Sequence, residues 1–342
     1  MVSPAPTSTF QPPTPAKVAA RIDGLDWTKG ALIVCMVIYH AINYSAYRPW
    51  AFKFLGFLPT SFIMITGFLV GQVYTAKVGQ EAPKIYLRLA TRGLKLLALV
   101  TGLNIANLIA IEHGVEDGLW EFGARAQELF LTGNGRIGVF EILIPISYFL
   151  LIAPLFVWLH SLNRLVVPIV ATGLFFLCTF MEIQGLVYKN FSFFSVGVLG
   201  MAIGVIPMTT IDSFARRIGR IAAIYGVYRV CSYLFEERYP VQTFGATASI
   251  LLLYALAIRT DGTGEIGKQM ITFGKYSLVG YIGQIAVLKI LVAAIGGKPQ
   301  TIFGVCLLTL AALTLTVAII AVIHQLRERS NLANVLYKAV FA

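Results

Sequence analysis

The chain has 342 residues, of which 57% are hydrophobic and 13% charged, and its mean hydropathy is +0.77. Soluble domains carry about 25% charged residues, so the composition excludes an ordinary globular protein and points to an all-α polytopic membrane protein. A net charge of +11 suits a nucleic-acid binder in a soluble chain, but here the basic residues lie mostly between apolar runs, where they set topology, and no nucleic-acid partner is expected.

Residues 1–20, MVSPAPTSTFQPPTPAKVAA, are rich in Pro, Ser and Thr and hold no apolar core. They are expected to form a disordered cytoplasmic tail ahead of a single membrane domain over 21–342. Apolar runs between Gly, Pro and charge breaks then predict ten spanning helices. They fall near 30–48, 53–76, 86–111, 137–160, 164–183, 191–208, 218–235, 243–260, 270–295 and 300–326. The seventh contains Arg220 and Arg229. With a cytoplasmic N-terminus, 18 of the 27 basic residues fall on that side, among them Lys17, Arg21 and Lys29, the run from Lys77 to Lys95, and Arg216, Arg217 and Arg220. The asymmetry predicts that both termini are cytoplasmic. The connector after the third run, IEHGVEDGLWEFGARAQELFLTGNGR, is acidic and long enough for a short amphipathic helix, either as part of an outer vestibule or as a solvated connector. Cys35, Cys178, Cys231 and Cys306 sit within apolar runs without paired spacing, so neither a disulfide framework nor a metal site is expected.

Ionisable groups inside apolar runs call for a physical reason, because each costs about 2.5 to 3.5 kcal/mol at mid-membrane. Lys29 and His40 are eleven residues apart, close to three helical turns, so they share a face about 16 Å apart along the axis. Asn43 and Tyr44 continue that face and can orient the imidazole. His40 is suited to accept and return a proton near neutrality, or to hold helices together as a structural histidine. Lys29 reads equally as a membrane-surface anchor. Glu141, in RIGVFEILIPISYF with Arg136 nearby, either pairs structurally or orients an acceptor hydroxyl. Arg88, Arg92 and Lys95 form a basic stripe suited to a phosphorylated cofactor or to lipid headgroups. Arg229, Gln284 and Lys289 are buried polar groups that line a cavity, snorkel or pair between helices.

A basic residue, ten intervening residues and a histidine in the first span, here Lys29 to His40, resemble the signature of the membrane acyltransferase-3 superfamily. FIMITGFLVG (62–71) is similar to its second-span motif, with Thr66 in place of serine, and FGKYSLVGYIGQIAVLKIL (273–291) is similar to its late span. FEILIPISYFLLIAPL, SFFSVGVLGMAIG and the tail LYKAVFA resemble the OpgC-type branch, which succinylates periplasmic glucans. The chain departs from the pattern at Lys29, where arginine is commoner, at Tyr39, where that branch has Asp, and at Gln284, where many relatives carry a second histidine. The resemblance implies a bacterial inner-membrane O-acyltransferase that moves a succinyl or acetyl group from cytoplasmic acyl-CoA to a hydroxyl of a glycan or glycolipid, with no metal. It implies His40 as general base with Glu141 beside it, cofactor phosphates on Lys29, Arg88 and Arg92, and Asn43, Tyr44 and Gln284 toward the substrate. From another class, a flippase or transporter would use His40 as a proton relay and the stripe as a lipid gate. A non-catalytic partner within a glycan-synthesis complex is the third reading.

Overall fold

Helix formation follows the apolar runs but outlasts several of them. The computed structural model describes residues 23–47, 49–109, 115–134, 139–235, 238–260 and 264–341. The expected tail over 1–20, together with Arg21, Arg48 and Arg136, lies outside the described residues. Among the described residues every regular element is helical.

Helix α1 runs Asp23–Asn43 and starts seven residues before the apolar run, with Asp23 and Asp26 in its first turn, where carboxylates complement the helix dipole. Lys29 is therefore inside the helix. A 3-10 turn, Trp50–Leu55, leads into α2, Leu58–Leu69, which continues through a π turn, Val70–Tyr74, and a 3-10 turn, Thr75–Lys77. Helix α3, Val78–Asn107, also starts well before its apolar run, so Arg88 and Arg92 are well within it. The acidic connector holds the amphipathic α4, Val115–Gln127, and a π turn, Glu128–Thr132, that closes on left-handed Gly133 (φ 71°). Tyr148 and Asn190 tie this segment to the bundle by donating to the carbonyls of Phe130 (2.8 Å) and Leu129 (2.9 Å).

The fourth run forms α5, Leu143–Leu162, and its first residues do not join it: Glu141 sits in the preceding turn. Then follow α6, Val166–Ile183; α7, Lys189–Gly204; α8, Met208–Ala215; α9, Ile218–Leu234; and α10, Tyr239–Ala257. The ninth run is two helices, α11, Glu265–Lys275, and α12, Ser277–Ala294, parted at Tyr276. Helices α13, Ile302–Arg329, and α14, Asn331–Phe341, complete the fold. Eight helices among the described residues are long and apolar enough to cross a membrane, or nine if α7 and α8, bent by 94°, make one broken span. This is short of ten because α7 has 16 residues and α9 has 17, the latter with Arg220 and Arg229 along it.

Lipid tails give helices no hydrophobic reason to associate, so close packing has to do it, and small residues permit close packing. Helix α2 and the π turn after it meet α7 along Gly67 and Gly71 on one side and Gly197, Gly200 and Gly204 on the other. A methyl on Gly67 would run into the Gly197 carbonyl, and one on Gly200 into that of Met64. The segments ITGFLVG and SVGVLGMAIG thus serve as a backbone-to-backbone seam. Helices α1 and α11 cross the same way at Gly30 and Gly274, each against the other helix's carbonyls. Gly93 brings α3 onto α5, where a Cβ would lie 2.9 Å from the Ser147 oxygen. This third crossing sets the spacing between the basic stripe and the core.

Candidate functional site

A cavity of about 330 Å³ lies at the end of the bundle that carries Lys29. Three cations line it, Lys29 from α1 and Arg92 and Lys95 from α3; the walls are Phe62 and Thr66 of α2, Ile142, Leu143, Ile146 and Leu150 at the start of α5, and Ser277, Leu278 and Tyr281 of α12. Val340 and Phe341 of α14 complete the lining.

Each cation is held in place. Lys29 pairs with buried Asp26, one turn away on α1, at 2.6 Å. Arg92 donates to the Tyr74 hydroxyl at 2.8 Å, so the π turn after α2 supplies its anchor. Lys95 donates to the Lys338 carbonyl at 3.2 Å, which draws α14 across the mouth. Arg88, one turn earlier on α3, is exposed and does not line the cavity. The stripe read from the sequence therefore divides: Arg92 and Lys95 face the cavity with Lys29, and Arg88 lies outside it.

Tyr281 closes the inner end. It is buried, and its ring lies against Phe62 (centroids 6.3 Å apart), Phe140 (6.2 Å) and His40 (6.2 Å). His40 is on the side of Tyr281 away from the cations, half-buried, with its ring edge-on to Tyr39 at 5.3 Å, while Tyr39 stacks on Phe52 at 5.1 Å. Glu141 and Tyr44 lie close enough to the Tyr281 hydroxyl to act on it electrostatically. The fold thus gathers His40, Tyr44 and Glu141 around one tyrosine. Burial pushes the Glu141 carboxyl, in its turn ahead of α5, up to about 7, against the opposing pull of Lys189. The expected neighbour Arg136 is outside the described residues, and the cation that acts on Glu141 is Lys189.

Gln284 is one turn beyond Tyr281 on α12, has no exposed surface, and has no hydrogen-bond partner for either amide atom among the described residues. A buried polar atom without a partner costs about 1 to 3 kcal/mol, and Gln284 carries two such atoms although it does not line the basic cavity. Asn43 ends α1 half-buried beside this region. The other two polar groups are half-buried: Arg229 stands over the Phe54 ring at 3.6 Å, with its Nη1 left without a hydrogen-bond partner among the described residues, and Lys289 donates to Asn107. Asn104, one turn before Asn107, accepts from the Val139 amide at 3.2 Å and fixes the turn that carries Glu141.

Sequence reasoning did not single out Tyr281, Ser277, Asp26 or Phe341. Asp26 was within reach, three residues before Lys29 on the same face. Tyr281 had no such signal, because a tyrosine in an apolar helix reads as core.

Fold and site together define a multi-pass helical membrane protein with a cation-lined cavity at one end, and with the ring of Tyr281 between that cavity and a half-buried histidine. No family profile, curated protein or solved structure matches the chain.

Proposed function

We propose that the protein is a membrane O-acyltransferase of the acyltransferase-3 type, which takes an acyl group from acyl-CoA at the Lys29 end and transfers it to a hydroxyl of a glycan or glycolipid at the other end. The observation that carries this reading is that Lys29 lines the basic cavity, Tyr281 lines it too, and His40 lies against Tyr281, with Lys29 and His40 about 16 Å apart along the axis of α1. Guanidinium and ammonium groups at the mouth suit the phosphates of a nucleotide-bearing thioester. An extended pantetheine arm suits the apolar walls behind them. In this reading His40 removes the proton of the acceptor hydroxyl as that oxygen attacks the thioester carbonyl. The new ester bond forms, the carbon–sulfur bond breaks, and the thiolate leaves toward the cavity. Glu141 lies within reach to orient the acceptor, and Asn43, Tyr44 and Gln284 offer polar atoms around it. The Lys29 end is then cytoplasmic, in a bacterial inner membrane, and membrane lipids surround the bundle.

The test pairs acyl-CoA binding with single-turnover transfer to cell-envelope glycans on detergent-purified protein. His40→Ala is expected to bind acyl-CoA as the wild type does and to slow transfer by about 100 to 10,000 fold. Arg92→Gln with Lys95→Gln is expected to weaken acyl-CoA binding, in a salt-dependent way, and more than Arg88→Gln does. A His40→Ala protein that is destabilised yet transfers at the wild-type rate would make the ring a structural contact, and a wild type that binds no acyl-CoA would remove the enzyme reading altogether.

A further inference from the structure

A second cavity, of about 270 Å³, lies between α2, α7, α8 and α10 and shares no lining residue with the first. Its walls include Met64, Phe68, Ile203, Phe214, Ile250 and Leu251. Ile206 and Thr210, both exposed, form its open side where the chain bends by 94° from α7 into α8.

Two features of this bend point to the occupant. First, α8 is amphipathic: Ile211 and Phe214 face the cavity while Thr209 and Ser213 are exposed, the pattern of a helix lying along a membrane surface. A cavity beneath a helix of that kind is within reach of lipid acyl chains, and an apolar cavity does not hold water. Second, the chain that leaves α8 is basic. Arg216, Arg217 and Arg220 follow α8 directly and are exposed. Arg216 lies close enough to the Tyr254 hydroxyl to act on it electrostatically, and Tyr254 lines the cavity while donating to Asp212 on α8 at 2.5 Å. Arg259 holds the end of α8 by donating to the carbonyls of Ala215 and Arg216, and the Arg216 residue is exposed. Clustered arginines at a membrane surface attract anionic headgroups, and guanidinium forks suit phosphate.

We propose that this is a binding site for an anionic phospholipid, with one acyl chain in the cavity beneath α8 and the headgroup phosphate on Arg216, Arg217 and Arg220. The site is independent of the acyl-transfer reading. A free phosphate has no use for the apolar cavity, and a neutral lipid has none for the arginines, so the two halves together select the class.

The test uses delipidated protein in detergent and native mass spectrometry, with palmitoyl-oleoyl phosphatidylglycerol and phosphatidylcholine as probes. The wild type is expected to bind phosphatidylglycerol about tenfold more tightly than phosphatidylcholine. The exposed triple variant Arg216→Gln, Arg217→Gln, Arg220→Gln should reduce that preference to near unity. Ile206→Trp, which plugs the open side, should weaken binding of both lipids about tenfold; Thr210→Trp, on the exposed edge of α8, replaces it if Ile206→Trp does not fold. Equal binding of the two lipids by the wild type would overturn the proposal. So would phosphatidylglycerol binding that neither the arginine variant nor the plugged variant alters.

Discussion

Gly93 and Gly102 are on the same helix, α3, and the same substitution at each separates local from tertiary effects. Replacing a helical glycine by alanine favours the helix by about 0.8 to 1 kcal/mol through backbone entropy. At Gly102 nothing lies within 4 Å of the new methyl, so Gly102→Ala should be neutral or stabilising by up to that amount. At Gly93 the methyl would lie 2.8 Å from Leu151 Cγ and 2.9 Å from the Leu151 nitrogen and the Ser147 oxygen. Two of these three atoms are backbone, so no rotamer change relieves them, and α3 has to move off α5 by about half an ångström to reach ordinary contact. Overpacking of this kind costs about 1 to 3 kcal/mol, which outweighs the helical gain. Gly93→Ala should therefore unfold at a lower temperature than Gly102→Ala in the same detergent, by an amount corresponding to about 1 to 3 kcal/mol. It also moves Arg92 and Lys95, on either side of it in sequence, relative to Lys29, so under the proposed function its affinity for acyl-CoA should fall while that of Gly102→Ala stays at the wild-type value. Equal unfolding temperatures for the two variants would refute the claim that the Gly93 crossing sets the width of the cavity.

Glu141 makes stability depend on pH. Its carboxyl is raised from 4.5 to about 7 in the folded protein, so between those values the unfolded chain gives up its proton first, and the stability present at low pH is lost as pH rises through 7. The unfolding temperature of the wild type should fall relative to Glu141→Gln over that window and then run parallel to it, and curves parallel throughout would remove the buried-carboxyl account. Orientation is tested by cysteine labelling in a Cys306→Ser background. Gly123→Cys on α4, where nothing lies within 4 Å of the added atom, should react with a membrane-impermeant thiol reagent in intact cells, and exposed Ser213→Cys on α8 should not. Reversed labelling would place the basic cavity on the outer side and end the cytoplasmic-donor reading.

The helical character of the chain was legible because apolar runs of membrane length have few alternatives: backbone groups in lipid must bond within the helix. Helix ends were less legible. Helices α1 and α3 both extend into charged sequence, and at α1 Asp23 and Asp26 in the first turn favour the N-terminus through the helix dipole, an effect that hydropathy does not carry. The break at Tyr276 lies within a run apolar enough to read as one span. It is set by the α1 crossing at Gly274 and by Tyr276 itself, whose ring packs edge-on against His324 and Tyr337. On the candidate site, helical periodicity was enough to place Lys29 and His40 on one face and to pair Arg92 with Lys95. It gave no sign that Arg88 would fall outside the cavity, because only the approach of α5 at Gly93 decides which part of the stripe is covered. Gly67, Gly71, Gly200 and Gly204 were visible as motif letters, and their role as a seam depends on which two helices meet.

Phe341 is part of the cavity wall, and Lys95 reaches the carbonyl of Lys338 three residues before it. Anything that follows the last residue, whether natural extension or affinity tag, therefore begins beside the mouth of the basic cavity. A hexahistidine tail there would bring imidazoles and bound nickel to a place read as a phosphate site, and a bulky fluorescent fusion would strain the fold-back of α14. Binding measurements on this protein are sound only with handles placed at the other end of the chain, and a preparation whose acyl-CoA affinity changes when a C-terminal tag is cleaved would be reporting on this wall.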